Sequence, residues 1–334
     1  MDRRSFLKLA GLIPAAALIG CTGTKQETPK EESKKADPVA VKVATLKGPT
    51  SMGLVKFMSE VESQNITDNN YSFEILDAPD QVVAKVAKGD VDAASIPANL
   101  AATLFAKTKG AYKVACINVL NVLNIVETGN TISKLTDLKG KTLYASGKGA
   151  VPEYVLSYLL SKNGLKLGED VQVEWKSEHA ECVAALAQDS AGIALLPQPF
   201  VTVAQTKNNQ IRVAIDLGTE WEALNPKSKI ITGVTIISSK LISDSPDAVT
   251  AFLSHYRDSI EFALDHVDDA AALVGKYGIV PEAVAKTALP KCNIAFIDGA
   301  DMKTALSEYL GVLAEENPQS VGGSVPGDDF YFGA

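Results

Sequence analysis

Two stretches of the sequence, about 100 residues apart, carry the same order of strand and helix patterns. Residues 93–100 (AASIPANL) begin with a strand-like run that ends at Pro97. Residues 193–200 (IALLPQPF) begin with an equivalent run that ends at Pro197. Strands that alternate with helices predict parallel-rich sheets joined by right-handed crossovers. We therefore expect an α/β fold made of two similar lobes.

Strand-like runs occur in two series along the chain. The first comprises residues 41–46, 71–76, 91–96 and one irregular run over 113–126; the second comprises 141–144, 171–175, 192–196 and 211–215, and a last run covers 232–238. Beyond that point, helical periodicity predicts helices over 246–265, 268–276, 281–288 and 300–316, with no strand among them.

The helical tail constrains the domain organisation, because helices without strands of their own must pack on an existing lobe. The most economical topology sends the chain out near residues 127–129 and back near residues 232–234. It predicts one lobe from residues 38–128 plus 233–334 and a second lobe from residues 129–232. Two crossings form a hinge, and a hinge between two α/β lobes creates a cleft.

The N-terminus has the pattern of an export signal over residues 1–20. Arg3, Arg4 and Lys8 precede an apolar run over 9–19, which is shorter than the roughly 20 residues that a membrane-spanning helix needs. Cys21 follows Leu-Ile-Gly, which predicts lipidation at that cysteine, and the paired arginines are typical of a twin-arginine signal. The alternative is an ordinary secretory signal with an incidental cysteine.

Residues 21–37 are rich in Thr, Lys, Glu and Pro and contain almost no large apolar side chains. Such a segment buries too little surface to offset its chain entropy, so we expect a disordered linker to a lipid anchor. The folded part is then expected outside the cytoplasmic membrane of a bacterial cell, attached to that membrane through Cys21.

Charge and cysteine content exclude several classes of function. The chain has a net charge of −8, which argues against nucleic acid as a partner but leaves room for a local anion site. Cys116, Cys182 and Cys292 cannot all pair with one another, and we expect them to be buried apolar residues. His179 with Cys182 does not complete a four-ligand metal site, so the sequence predicts no metal. We also expect no cofactor and a monomer.

Candidate ligand contacts follow from the rule that ligands lie at the carboxyl ends of the strands in open α/β sheets. After the first strand of each series, these are the loop residues Gly48, Pro49, Thr50, Ser51 and Met52, and Ser146, Gly147, Lys148, Gly149 and Ala150. N–H groups at a helix start, together with hydroxyls and a lysine, favour an anion. We hypothesise that Ser51 and Lys148 hold one anionic group from opposite lobes. The alternative is an ordinary helix start with Thr50 as its N-cap.

Four further residues are candidates by the same rule. Asn99 and Gln198 follow the equivalent third strands, and His179 follows the second strand of the second series. Tyr144 lies near the end of a strand, where its ring could stack on an aromatic solute. The alternatives are a helix cap for Asn99 and ordinary packing for Tyr144.

Several short motifs, together with the predicted signal and the paired lobes, resemble those of one protein family. Loops 48–53 (GPTSMG) and 147–150 (GKGA), with segments 89–94 (GDVDAA) and 137–141 (DLKGK), are similar to those of ABC-importer solute-binding lipoproteins. The branch concerned, NMT1/THI5-like, groups nitrate, sulfonate, taurine and thiamine-precursor binding proteins. The resemblance implies a periplasmic-binding-protein-like fold of type II, an anionic or aromatic small-molecule solute in the inter-lobe cleft, and an ABC permease as partner. The family often has an acidic residue at the position of Gln198. Because Gln198 is a neutral amide, the resemblance does not imply that this chain prefers a cationic ligand group.

Catalysis is not predicted, because the sequence shows no Ser–His–Asp set, paired-carboxylate signature or metal cluster. The alternative from a different class is an enzyme on the same fold, similar to a thiamine pyrimidine synthase or to a dehydratase of menaquinone synthesis. The synthase type carries a cysteine-rich motif that the three dispersed cysteines do not form. A ligand-sensing receptor would use the same cleft and is the other alternative.

Overall fold

The computed structural model describes residues 37–334, whose strands form two mixed sheets. The predicted signal peptide over residues 1–20, the predicted lipidation site Cys21 and the predicted linker up to Ala36 lie outside the described residues. Within residues 37–334, no helix combines the length and the apolar character that a membrane crossing requires.

The first sheet has six strands in the order β11-β4-β10-β3-β1-β2. Strand β1 is parallel to β2 and β3, whereas β10 is antiparallel to β3 and β4, and β11 is antiparallel to β4. The strands are β1 Ala40–Leu46, β2 Asn70–Leu76, β3 Ala93–Pro97, β4 Tyr112–Leu120, β10 Ile231–Ser238 and β11 Ile294–Ile297. We call the part of the chain built on this sheet the first lobe.

The second sheet has five strands in the order β7-β6-β8-β5-β9 and carries the second lobe. Strand β6 is parallel to β7 and β8, and β5 is antiparallel to β8 and β9. The strands are β5 Leu123–Thr128, β6 Thr142–Ser146, β7 Gln172–Lys176, β8 Ile193–Pro197 and β9 Ile211–Asp216.

Helices connect the strands and cover both sheets. They are α1 Pro49–Met52, α2 Val55–Glu62, α3 Pro79–Lys88, α4 Ala98–Thr108, α5 Val151–Lys162, α6 His179–Gln188, α7 Phe200–Lys207, α8 Leu217–Leu224, α9 Ser239–Asp244, α10 Pro246–Asp265, α11 Val267–Lys276, α12 Glu282–Ala288 and α13 Gly299–Glu316. Proline begins α1, α3 and α10, where its missing N–H would be unpaired in any case. Gly89 ends α3 in the left-handed conformation that favours glycine.

The internal repeat predicted from the sequence is confirmed by the sheets. Strand β3 lies between parallel β1 and antiparallel β10, and β8 lies in the same way between parallel β6 and antiparallel β5. All five residues of each of these strands are buried, which explains why both are continuous apolar runs. The two lobes therefore have matching centres.

The single irregular strand predicted over residues 113–126 is wrong, because the chain there forms β4 and β5 in different sheets. The chain passes between the sheets at Asn121 and Val122, earlier than the crossing predicted near residues 127–129. Asn121 Oδ1 accepts the N–H of Leu123 at 3.2 Å, and the carbonyl of Val122 accepts the N–H of Gln198 from the second lobe at 3.0 Å. The return crossing lies between α8 and β10, just before residues 232–234.

The prediction that the helical tail contains no strand is also wrong, since Ile294–Ile297 forms β11 on the edge of the first sheet. The helices α8 and α9 are additional to those predicted. The tail helices α10 and α11 pack on α2, whereas α13 packs on β4 of the first lobe and on α5 of the second. Apart from the strands, whose sheets are given above, the assignment of residues to the two predicted lobes stays a prediction.

Candidate functional site

A cavity lies between the two lobes at the carboxyl ends of several strands, where the rule for α/β sheets places a ligand. The volume that a water-sized sphere can enter is about 70 Å³, and the cavity is partly open to solvent. The first lobe contributes Leu46, Lys47, Pro49, Thr50, Pro79, Pro97 and Thr232, and the second contributes Leu123, Gly147, Ala150, Val151, Pro152, His179 and Pro197. Both lobes therefore form the wall to an equal extent.

Proline is the commonest residue of the cavity wall. Pro49 and Pro79 begin α1 and α3, and Pro152 is the second residue of α5. Pro97 and Pro197 end the equivalent strands β3 and β8. Proline has no backbone N–H, so at each of these five positions the wall lacks a hydrogen-bond donor.

The loop after β1 uses its polar groups internally. Gly48 has a φ of 140°, a conformation that favours glycine, and its N–H donates to Ser51 Oγ at 3.2 Å. The Ser51 hydroxyl donates to the carbonyl of Gly48 at 2.9 Å, and the Thr50 hydroxyl donates to the carbonyl of Leu46 at 2.9 Å. Gly48, not Thr50, is therefore the N-cap. Ser51 and Met52 are fully buried behind the wall.

In the second loop, Gly147 and Ala150 line the cavity, but Lys148 does not. Lys148 lines a separate hollow, together with residues of the second lobe and Asn317 at the end of α13. The N–H of Gly149 donates to Glu153 Oε2 at 2.5 Å, so a carboxylate of the protein already occupies that donor. Ser51 and Lys148 thus face different surroundings, and the anion clamp hypothesised between them stays a prediction.

His179 is the wall residue whose side chain can both donate and accept hydrogen bonds through its ring nitrogens. It is half-buried at the start of α6, its Nδ1 lies 2.7 Å from Ser146 Oγ, and its ring packs on Phe200 at 5.0 Å between centroids. Burial lowers the pKa of His179 to about 4, so the ring is neutral at pH 7. In either tautomer, Nε2 remains as a donor or an acceptor for a ligand, because Nδ1 is bonded to Ser146.

The shifted pKa of His179 predicts a pH dependence of stability. The ring titrates near 6.5 in the unfolded chain and near 4 in the folded one, so the unfolded chain binds more protons between these pH values. The free energy of unfolding then falls as the pH is lowered through this interval, by about 1–3 kcal/mol for this group. Urea unfolding of the wild type and of His179→Gln between these pH values measures this dependence. If the free energy of unfolding falls equally in both proteins, His179 is not its cause.

Two candidate residues from the third strands are buried beside the cavity and not in its wall. Asn99 is fully buried, and its Nδ2 donates to the carbonyl of Gly149 in the second lobe at 3.2 Å. It therefore bridges the lobes and does not cap its helix, whose N-cap is Pro97. Gln198 is buried, and its Oε1 accepts the hydroxyl of Thr202 at 2.8 Å. Direct ligand contact by either residue stays a prediction.

Tyr144 lies away from the cavity. Its hydroxyl donates to Asp189 Oδ2 at 3.1 Å, and Lys176 Nζ lies 5.5 Å from the centre of its ring. Trp175, at the end of the neighbouring strand, lines the same hollow as Lys148. Stacking of an aromatic solute on Tyr144 stays a prediction.

Several wall residues are not among the candidates predicted from the sequence. Pro79 follows β2, so the carboxyl-end rule could have found it. Leu123 and Thr232 depend on where the chain crosses between the sheets, which the apolar pattern does not reveal. Lys47 lies at the wall with its Nζ 3.4 Å from Asp77 Oδ1, and Thr232 Oγ1 is buried without a hydrogen-bond partner among the described residues.

Cys116, Cys182 and Cys292 are unpaired and buried, as predicted. Burial raises the pKa of each thiol to about 12, so none is a thiolate at neutral pH. Over residues 37–334, no three His, Cys, Asp or Glu side chains meet in a way that could hold a metal ion.

Comparison with known proteins identifies a family and a fold. The family model described as NMT1/THI5 like matches residues 67–270. A comparison with curated protein sequences finds no match.

Three solved structures cover most of the chain. An ABC transporter protein from Parabacteroides distasonis has a TM-score of 0.71 and 22% identity, covering 87% of this chain and 98% of that one. The alkanesulfonate-binding protein SsuA from Xanthomonas axonopodis pv. citri, bound to MOPS, has a TM-score of 0.69 and 16% identity, covering 87% and 96%. The periplasmic aliphatic sulphonate binding protein SsuA from Escherichia coli has 0.68 and 19%, covering 86% and 91%. The predicted two-lobe α/β fold of type II periplasmic binding proteins is confirmed.

Proposed function

The chain belongs to the NMT1/THI5-like family, and from that premise we propose that it is the solute-binding component of an ABC importer. It captures a small solute in the cavity between its lobes and delivers it to a permease in the membrane. The observation that carries this proposal is the composition of the wall, to which each lobe contributes seven residues. A solute in contact with both lobes stabilises the closed arrangement over the open one.

The hinge lies next to the solute in this proposal. Leu123 begins β5 directly after the first crossing, Thr232 lies in β10 directly after the return crossing, and both line the cavity. Asn99 in the first lobe donates to Gly149 in the second lobe beside the same cavity. Solute contacts, hinge and inter-lobe hydrogen bond are thus adjacent, which supports coupling between binding and closure.

We propose capture without catalysis. The polar side chains of the wall are those of Lys47, Thr50, His179 and Thr232, and no carboxylate is among them. Within the wall, His179 therefore has no carboxylate partner of the kind that orients the histidine of a catalytic triad. The buried thiols, with pKa values of about 12, are poor nucleophiles. These features disfavour the enzyme alternative.

We further propose that the protein works outside the cytoplasmic membrane as a lipid-anchored monomer. The support is the N-terminal pattern, with a signal over residues 1–20, a cysteine at position 21 and a polar linker up to residue 37. The described fold begins directly after this linker, with β1 at Ala40. The similar Escherichia coli protein is named as periplasmic. The permease is the expected protein partner.

The test is a thermal-shift screen of the full chain against sulfonates, carboxylates, nitrate, pyrimidines, and flavin and thiamine precursors, repeated on Leu46→Trp. Leu46 is half-buried in the wall, and a larger ring there fills space that the solute needs. We expect a saturable rise in Tm for the wild type. The affinity that the titration gives for the variant should be at least tenfold weaker, which is about 1.4 kcal/mol of binding free energy. Leu224→Trp, at a residue that is 45% exposed on α8, is the matched control and responds as the wild type does. Equal responses of both variants would place the solute elsewhere.

A further inference from the structure

The charges around the cavity bear on the class of solute. The chain described has two arginines, and both are bound to carboxylates outside the wall, Arg212 to Glu127 and Arg257 to Asp298. Lys47 is the one cationic side chain of the wall, and it lies 3.4 Å from Asp77. Arginine is the preferred partner of carboxylate, sulfonate and phosphate groups, and this wall offers none.

Backbone donors are also scarce. Five prolines stand where the starts of helices and the ends of strands would otherwise present N–H groups to a ligand. The N–H of Gly48 is bonded to Ser51 Oγ, and the N–H of Gly149 is bonded to the carboxylate of Glu153. Glu153 also adds a negative charge beside the second loop. The wall therefore offers an anion few donors to replace the hydrogen bonds that it loses on leaving water.

The remaining polar groups suit a neutral hydrogen-bonding partner. His179 is uncharged at pH 7 and keeps Nε2 free beside the bonded Nδ1. Thr232 Oγ1 is buried at the wall and has no partner among the described residues, so it is unsatisfied until a partner is supplied. Leu46, Leu123 and Val151 with the prolines make the rest of the wall apolar.

We propose that the cleft takes an uncharged solute with a largely apolar body and a neutral hydrogen-bonding group that binds His179 and Thr232. This inference rests on the proposed function, because it assigns the solute class of the same cavity. It separates this chain from the neighbour named as an alkanesulfonate-binding protein, whose ligand class is anionic. The fold is shared, but the wall residues described above do not provide the charge that a sulfonate needs.

The test uses matched pairs of probes with the same shape and different charge. They are benzamide and benzoate, nicotinamide and nicotinate, cyclohexanecarboxamide and cyclohexanecarboxylate, and benzenesulfonamide and benzenesulfonate, with MOPS as a further sulfonate. At pH 7.5 the acids are ionised. We expect at least one amide to raise the Tm of the full chain saturably and to bind at least tenfold more tightly than its acid in calorimetry. Affinity for that amide should not change between low and high salt.

Two variants connect the result to the wall. His179→Ala should weaken the amide about tenfold, whereas His255→Ala, at a histidine bonded to Asp68 away from the cavity, should leave its affinity unchanged. An acid or sulfonate that binds as tightly as its neutral partner overturns the inference while the proposed function stands. Silence of every amide also overturns it. If Leu46→Trp responds to the binding probes as the wild type does, the proposed function fails instead.

Discussion

Replacing Trp221 by alanine is expected to lower the free energy of unfolding by about 3–5 kcal/mol. Trp221 is fully buried on α8, and its ring packs on Tyr158 of α5 at 4.8 Å and on Tyr309 of α13 at 5.3 Å between centroids. Its Nε1 donates to Ser228 Oγ at 3.3 Å. The substitution leaves a cavity among three helices and a buried hydroxyl without its donor.

The site matters for function because α8 and α5 belong to the second lobe, whereas α13 also packs on β4 of the first. Urea unfolding of the full chain measures the loss, and Tm should fall by about 5–8 °C. The control is Leu224→Ala on the same helix, where the side chain is 45% exposed and the expected change is within about 0.5 kcal/mol. A loss below about 1 kcal/mol for Trp221→Ala would show that these helices are not packed as described.

Replacing Glu127 by alanine is expected to cost about 3–5 kcal/mol as well. Glu127 is 1% exposed on β5 and faces Arg212, its cross-strand partner on β9. Its carboxylate accepts the N–H of Thr131 and the N–H of Ile132, each at 3.0 Å. Removal of the carboxylate leaves a partly buried guanidinium and these N–H groups without their acceptor.

The pKa of Glu127 makes the effect dependent on pH. Burial by itself raises this pKa, but the N–H groups of Ile132 and Thr131 and the Arg212 guanidinium outweigh burial and lower it below its usual value. A lowered pKa stabilises the fold above the pKa of the unfolded chain, and this contribution is lost as the pH falls below it. The difference between wild type and Glu127→Ala should therefore shrink in acid, and Glu127→Gln should lie between them at pH 7. A difference that persists unchanged in acid would contradict the charged role.

The sequence predicts a large part of the fold because each strand and each helix has its own short-range apolar pattern. Pro97 and Pro197 end equivalent strands in the two sheets, as the repeat predicts. The location of the first crossing is not local information. Two buried strands in tandem have the same apolar pattern as one long strand, and the strand pairings of the folded chain show where the partner sheet changes.

For the candidate site, the sequence likewise predicts the positions of the loops but not the directions of their side chains. The rule for strand ends selects the two loops, and Thr50, Ala150 and His179 lie in the cavity wall, where solute contact stays a prediction. The direction of each loop side chain depends on its own bonds, which the sequence does not reveal. Ser51 Oγ accepts the N–H of Gly48 and donates to the Gly48 carbonyl, so both of its hydrogen bonds stay within its own loop.

The most direct test of binding between the lobes is hydrogen–deuterium exchange of the full chain. Exchange is measured with and without the matched-pair probe that raises Tm most. We expect slower exchange in both wall loops, residues 46–50 of the first lobe and residues 147–151 of the second, with no change over residues 167–173 beside the hollow that Lys148 lines. Protection of one lobe alone, or protection centred on that hollow, would contradict capture of the solute between the lobes.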